Sequence, residues 1–175
     1  MIEQSPLNFK NLVDELLLKN SMLSPFSKFN QLACQSQLLD ASSTQDRLSR
    51  SCGSFKLLNS SYKDEDFTEL NVEFKFLEDL VSKVDTMLNS KTVRLRIMTL
   101  SPKTCLSYHK DEVFARWHMP LQTSFSSFFV IEDKFYSMPS VGAVYCMRTN
   151  VRHTAINAHF SQNRVHLVGS LIENK

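Results

Sequence analysis

The C-terminal half of this 175-residue chain carries a short series of polar residues able to do chemistry: His109-Lys110-Asp111, then His153, then Arg164. Two histidines and one carboxylate form the set that binds nonheme Fe(II) on one face and leaves its other positions open. Three protein ligands leave room in an octahedral shell for a bidentate 2-oxo acid and O₂. An arginine shortly after the second histidine can hold a dianionic co-substrate against that open face. All five histidines (His109, His118, His153, His159 and His166) lie in this half, so the chemistry is concentrated there.

These residues need strands to position them. Residues i and i+2 of a strand point to the same side, so His109 and Asp111 project together if their strand continues into the following loop. His153 falls on a separate expected strand. Arg164 sits in a mostly apolar strand, where an unpaired guanidinium would cost several kcal/mol. An acidic partner within the protein would relieve that cost, and so would a bound carboxylate. Arg116 and His118 are again i and i+2. As a pair of donors they could bind the other carboxylate of a 2-oxo acid, or one on the substrate. They could equally be an ion-pair arginine and a satisfied core histidine. Trp117, Phe114, Phe128 and Tyr145 are candidates for an apolar wall around the metal, and each is as readily explained as plain core.

The elements follow from periodicity. Residues 6–19 read as a helix, with Ser5 as cap, Pro6 in the first turn, and Phe9, Leu12, Val13, Leu16 and Leu17 as one apolar stripe. Phe67, Leu70, Phe74, Leu77, Val81, Val84 and Leu88 recur at steps of three and four, predicting a second helix over 67–89 with Asp64 or Asp66 at its start. Residues 35–66 are richer in Ser and Asp and predict loops with one strand near Phe55–Leu58. From Thr92 the period changes to two, and Val93, Leu95 and Ile97 alternate with Arg94, Arg96 and Met98. Further strands are expected at 105–109, 114–122, 126–132, 134–138, 142–148, 152–157 and 163–172. Eight short strands with brief connections predict a mainly β chain with flanking α-helices, its core a double-sheet jelly roll. We expect a single domain over 1–175, with residues 1–90 as a helical support and 91–175 as the catalytic core.

Bulk properties exclude several classes. The formal net charge is only +2 and the basic residues are scattered, which argues against nucleic-acid binding. No apolar run reaches the roughly 18 residues of a membrane span. Met1-Ile-Glu-Gln-Ser5 shows no basic region followed by an apolar stretch, so the expected location is cytoplasmic. Cys34, Cys52, Cys105 and Cys146 form no CxxC pair and are expected as free buried thiols. There is no Gly-rich phosphate loop, no GxSxG elbow and no HExxH helix.

From about Arg94 to Leu171 the sequence resembles the aspartyl/asparaginyl β-hydroxylase family of Fe(II)- and 2-oxoglutarate-dependent dioxygenases. The resemblance is carried by Leu100-Ser-Pro102, His109-Lys-Asp111, Arg116-Trp-His118-Met-Pro120-Leu121, His153-Thr-Ala-Ile-Asn157 and Arg164-Val-His-Leu-Val168. It implies a double-stranded β-helix, cupin-like in architecture. It implies metal ligation by His109, Asp111 and His153, with Arg164 on the distal carboxylate of 2-oxoglutarate and Arg116 and His118 toward its other end. The chain departs from the family pattern at Lys103, where a glycine commonly follows the proline. The implied substrate is an amino acid, or an Asp, Asn or Pro residue of a peptide or protein; which of these, and the oligomeric state, the sequence does not decide. The competing reading is a metal-binding jelly roll that is non-catalytic or independent of a 2-oxo acid. Arg164 argues against it, because such a protein needs no cation at that place.

Overall fold

Period-two alternation in the second half becomes strands, except that the strand expected at 105–109 is only Thr104–Cys105, and the computed structural model describes residues 2–21, 29–33, 35–36, 63–70 and 72–173. The chain begins with β1 (Ile2–Asn8), a 3₁₀ turn over Lys10–Leu12 and α1 (Val13–Ser21). Next come β2 (Phe29–Ala33), β3 (Gln35–Ser36), a 3₁₀ turn over Asp64–Asp66, and β4 (Glu69–Leu70). A 3₁₀ segment, Val72–Leu77, leads into α2 (Glu78–Leu88). The remaining strands are β5 (Ser90–Leu100), β6 (Thr104–Cys105), β7 (Ala115–Gln122), β8 (Ser127–Ile131), β9 (Lys134–Ser137), β10 (Ala143–Arg148), β11 (His153–Asn157) and β12 (Arg164–Glu173).

Two antiparallel sheets face each other as a jelly roll. The larger has six strands in the order β1-β10-β7-β12-β5-β2, and the smaller has four in the order β6-β11-β8-β9. Between them lies a core of Leu100, Phe129, Ile131, Met138, Ala143, Tyr145, Met147 and Ala155. Alternation sends the other residues of the large sheet outward. Leu95, Ile97, Trp117, Met119, Leu121, Val144, Val165 and Leu167 meet Val13 and Leu16 of α1 and Leu80 and Val84 of α2 in a second core. The inward face of β7 and β12 is thereby left to Arg116, His118, Arg164 and His166.

Three expectations for the N-terminal half need correction. The helix expected over 6–19 begins only at Val13, because Ile2, Glu3 and Gln4 pair with Met147, Cys146 and Tyr145 and extend the sheet. Ser5 accepts a hydrogen bond from the Leu7 N–H instead of capping a helix. Pro6 lies where the register shifts between Gln4 and Asn8, at a sheet edge that tolerates its missing donor. The helix expected over 67–89 is regular only from Glu78, although its apolar stripe is real, with Phe67, Phe74, Leu77 and Val84 buried. Residues 1–90 are therefore not only helical: β1 and β2 are strands of the large sheet. The strand expected near Phe55–Leu58 lies outside the described residues.

Three backbone details shape the large sheet and the turn that leaves it. Arg94 has φ +50, and the β12–β5 register shifts between Val168 and Ser170 beside it. This bulge frees the Arg94 N–H, which donates to the Phe67 carbonyl at 2.8 Å and so fastens the segment from Asp64 to the sheet. At Gly169 a Cβ would lie 2.4 Å from Trp117 Nε1. The missing side chain lets the indole seat fully and donate to Thr92 Oγ1 at 2.9 Å. Pro102-Lys103 makes the turn after β5, and Lys103 adopts φ +54, the conformation for which glycine is suited. The lysine keeps that turn, with its ammonium 4.1 Å from the centre of the Phe160 ring.

Candidate metal centre and cavity

His109 and His153 are joined by an isolated antiparallel bridge, with N–H to carbonyl distances of 3.0 and 2.8 Å. The bridge places one histidine from the loop after β6 beside the first residue of β11. Each ring has its Nδ1 against a backbone carbonyl, Ser107 at 2.6 Å for His109 and Val151 at 2.9 Å for His153. A carbonyl can only accept, so Nδ1 carries the proton and the Nε2 lone pair is left to face inward. Asp111 is held in the same loop by its N–H donating to the Thr149 carbonyl at 2.8 Å. Its two carboxylate oxygens lie 3.6 Å from His109 Nε2 and 3.6 Å from His153 Nε2. One ligand atom from each residue falls within 4.8 Å of the other two. Two neutral nitrogens and one anionic oxygen converging in this way suit a divalent cation of borderline hardness, Fe(II) among them.

Electrostatics keep Asp111 and His153 in their metal-binding forms. Burial would raise the Asp111 carboxyl, but the neighbouring His109 and the Arg116 charge hold it below the ordinary carboxylate range. Burial lowers His153, whereas Asp111 raises His109, so a cation bound there competes with a proton.

Arg116 and His118 project together from β7, as their spacing predicts, and both line the cavity beside His109 and His153. Arg116 is no surface residue. Its Nη1 lies 2.8 Å from Asp111 and its Nη2 3.5 Å from Asp64. Asp64 also pairs with Arg94 and accepts from Ser170 Oγ. Burial opposes ionisation of Asp64, yet Arg96, Arg94 and Arg116 hold its carboxyl far below the usual range. Arg96 is fully buried and donates to the Arg94 carbonyl at 2.8 Å. His118 is buried edge-on to Phe129, with ring centres 5.1 Å apart. Burial first, and then Arg164, Arg116 and Arg96, push it well below the ordinary histidine value, so it is neutral.

Arg164 opens β12 at the far side of the same cavity, 5% exposed. Its guanidinium stacks 4.4 Å above the Phe129 ring and donates to His166 Nδ1 at 3.2 Å. Among the described residues no carboxylate pairs with it, so the first of the two reliefs for its charge is not supplied there. Burial lowers its pKa to about 9. The geometry is that of a cation waiting for an anion.

The cavity wall is not made of the expected aromatics. Trp117 packs on the helix side of the large sheet and Tyr145 sits in the inter-sheet core. Phe114 is half-exposed, and Phe128 pairs with Phe135 on the outer side of the small sheet, 5.4 Å between ring centres. The wall is Met98, Leu100, Leu106, Met147, Val168 and Phe129. Strand parity explains the exchange, since Phe129 points inward with His153 and Ala155, and Phe128 cannot. Asn157, part of the sequence pattern, is a structural tie: its amide donates to the carbonyls of Leu100 and Gln162, each at 2.9 Å. Two residues near the site were not anticipated. His166 shares the inward parity of Arg164, a signal that was present in the sequence. Asp64 gave none, because its contacts cross from the N-terminal half. Cys146 is half-buried and Cys105 exposed, both free, so the expectation of buried thiols fails at Cys105.

The architecture recurs in proteins of very different sequence. An oxidoreductase of the 2OG-Fe(II) oxygenase family from Burkholderia pseudomallei superposes with a TM-score of 0.62 at 12% identity, covering 97% of this chain and 83% of its own. The viral collagen prolyl hydroxylase of Paramecium Bursaria Chlorella virus-1, solved as its 2OG complex, gives 0.60 at 10% identity over 99% and 96%. A Pseudomonas putida prolyl-4-hydroxylase gives 0.52 at 10% over 99% and 93%. At these identities the likeness concerns the fold. No curated protein matches the sequence. The family model for aspartyl/asparaginyl beta-hydroxylases matches residues 29–173, from β2 to the end of β12. This chain therefore belongs to the aspartyl/asparaginyl β-hydroxylase family.

Proposed function

We propose that the chain is an Fe(II)- and 2-oxoglutarate-dependent dioxygenase that hydroxylates an Asp-, Asn- or Pro-type residue of a peptide or protein, or the corresponding free amino acid. One observation carries the reading. Two members of a three-ligand site for a divalent cation, His109 and His153, line one cavity with a buried arginine that has no carboxylate partner among the described residues. His109 and His153 would hold the metal through Nε2, and Asp111 through a carboxylate oxygen. Arg164 would receive the distal carboxylate of 2-oxoglutarate by its planar fork. Arg116 would keep Asp111 ionised and oriented, and with the neutral His118 it would stand toward the other end of the co-substrate. The bound iron, with 2-oxoglutarate and O₂, supplies oxidative decarboxylation to succinate and CO₂ and places one oxygen atom on a substrate carbon. The protein's share is to orient the reactants and exclude water, for which the cavity's methionines, leucines and Phe129 serve. The family's name and the prolyl hydroxylases among similar structures favour a residue within a polypeptide as substrate.

The test is succinate formation in the presence of Fe(II), 2-oxoglutarate and O₂ across a panel of free amino acids and Asp-, Asn- or Pro-containing peptides. A substrate should stimulate succinate release and gain one oxygen atom by mass. Release no greater than that of a His153→Ala variant, with every member of the panel, would overturn the proposal.

A further inference from the structure

His166 is 1% exposed and stands outside the metal and co-substrate contacts of Arg164, Arg116 and His118. Its ring stands two residues from Arg164 on the inward side of β12, and its Nδ1 accepts from Arg164 Nη2 at 3.2 Å. A guanidinium can only donate, so that Nδ1 holds the lone pair and Nε2 holds the proton. The Nε2–H is then buried with no hydrogen-bond partner. A histidine kept only for packing would do better as an apolar ring, because an orphaned buried donor is costly. The contact it makes is also singular among the described residues: Arg164 has this one hydrogen bond and one aromatic face, Phe129 at 4.4 Å. The Phe129 ring lies under the guanidinium carbon but offers no directed acceptor to set the orientation of its N–H groups. The acceptor at Nδ1 sets it.

We infer that His166 is a positioning residue for the co-substrate: its Nδ1 takes one amino group of Arg164 and fixes the angle at which the remaining N–H groups meet a carboxylate in the cavity. The inference rests on the reading of Arg164 as the receptor for 2-oxoglutarate. It extends that site to a residue that touches neither metal nor ligand. Ring contacts carry the constraint further along the wall, since His166 lies edge-on to His118 with centres 5.7 Å apart. A register shift in β7 between the partners of Val165 and His166, at Gln122 and Pro120, accompanies the pair.

The experiment uses the full chain loaded with redox-inert Mn(II) and titrated with 2-oxoglutarate by calorimetry, comparing wild type with His166→Phe and His166→Asn. Phenylalanine keeps the ring and removes the acceptor, while the asparagine side-chain oxygen stands near the place of Nδ1. The expected result is about tenfold weaker 2-oxoglutarate binding in the phenylalanine variant, about 1.4 kcal/mol. Mn(II) affinity should be unchanged, and the asparagine variant should bind within threefold of wild type. If the phenylalanine variant does not fold, His166→Leu takes its place in the comparison. Wild-type binding by the phenylalanine variant, or an asparagine variant as weak as it, overturns the inference while leaving the co-substrate reading intact. A wild-type protein that binds Mn(II) but no 2-oxoglutarate overturns both.

Discussion

Replacing Arg164 by Met should weaken co-substrate binding and strengthen the ligand-free fold, two effects of opposite sign from one side chain. The binding loss follows from the fork. A bidentate guanidinium–carboxylate pair makes two charge-assisted hydrogen bonds of about 1.5–3 kcal/mol each. Their removal from a water-poor cavity should cost about 3 kcal/mol or more, a fall in 2-oxoglutarate affinity of at least about a hundredfold. The stability gain follows from burial. Desolvation takes the guanidinium from its ordinary value down to about 9, and at about 1.4 kcal/mol per pH unit this caps the cost of the unpaired charge near 5 kcal/mol. The Phe129 stacking and the His166 hydrogen bond return about 1–2 kcal/mol of it. A methionine of similar length fills the space without charge, so the ligand-free variant should be about 1–3 kcal/mol more stable. Urea unfolding at neutral pH measures the second effect, and calorimetric titration of the Mn(II)-loaded protein measures the first. A variant that binds 2-oxoglutarate within threefold of wild type, or is less stable than wild type, would overturn both arguments.

Buried histidines should make the ligand-free fold sensitive to mild acid. His118 and His166 are held neutral by burial, and the cationic Arg164 adds to this; unfolding lets both bind protons below about pH 6.5, so stability should fall as pH falls through that window. These two protons set a slope near 2.7 kcal/mol per pH unit, which lowered His153 adds to and raised His109 offsets; urea midpoints from pH 7 to pH 5 would measure it, and a flat profile would contradict the neutral assignments. Below about pH 4 the depressed carboxyl of Asp64 adds a further loss, and an Asp64→Asn variant should show a shallower acid limb in the same titration. Gly169→Ala should destabilise by about 1–3 kcal/mol or more, because the new methyl meets the Trp117 ring; thermal unfolding and the indole fluorescence would both report it. Lys103→Gly should leave the protein equally stable or up to about 1 kcal/mol better, since it relieves the left-handed conformation and forfeits only the Phe160 contact.

The second half of the chain was legible because each strand there is short, alternating and bounded by turn residues, so period and parity point the same way. Parity also sets Arg116 beside His118 on β7, whereas His109 and Asp111 meet through a loop held by the bridge to His153 and by the Asp111 N–H on Thr149. Counting from inward His153 across the β8–β11 pairing selects Phe129, not Phe128, for the cavity side. The N-terminal error has a different origin. Ser5-Pro6 carries a local helix-start signal, but Ile2 to Gln4 gain more by joining the edge of a sheet whose partner lies over a hundred residues away. Local propensity cannot report such a pairing. Asp64 is the same case: a capping residue by local signal, a buried counter-ion by tertiary contact with Arg94, Arg116 and Ser170.

The central claim is that His109, Asp111 and His153 present a ferrous ion to 2-oxoglutarate in the cavity closed by Arg164. Anaerobic addition of Fe(II) and then 2-oxoglutarate to the full chain, followed by visible spectroscopy, tests it directly. A metal-to-ligand charge-transfer band is expected that needs both additions, disappears in His153→Ala, and requires much more 2-oxoglutarate in Arg164→Met. A wild-type protein with no such band, or a band that persists in His153→Ala at wild-type strength, would contradict it.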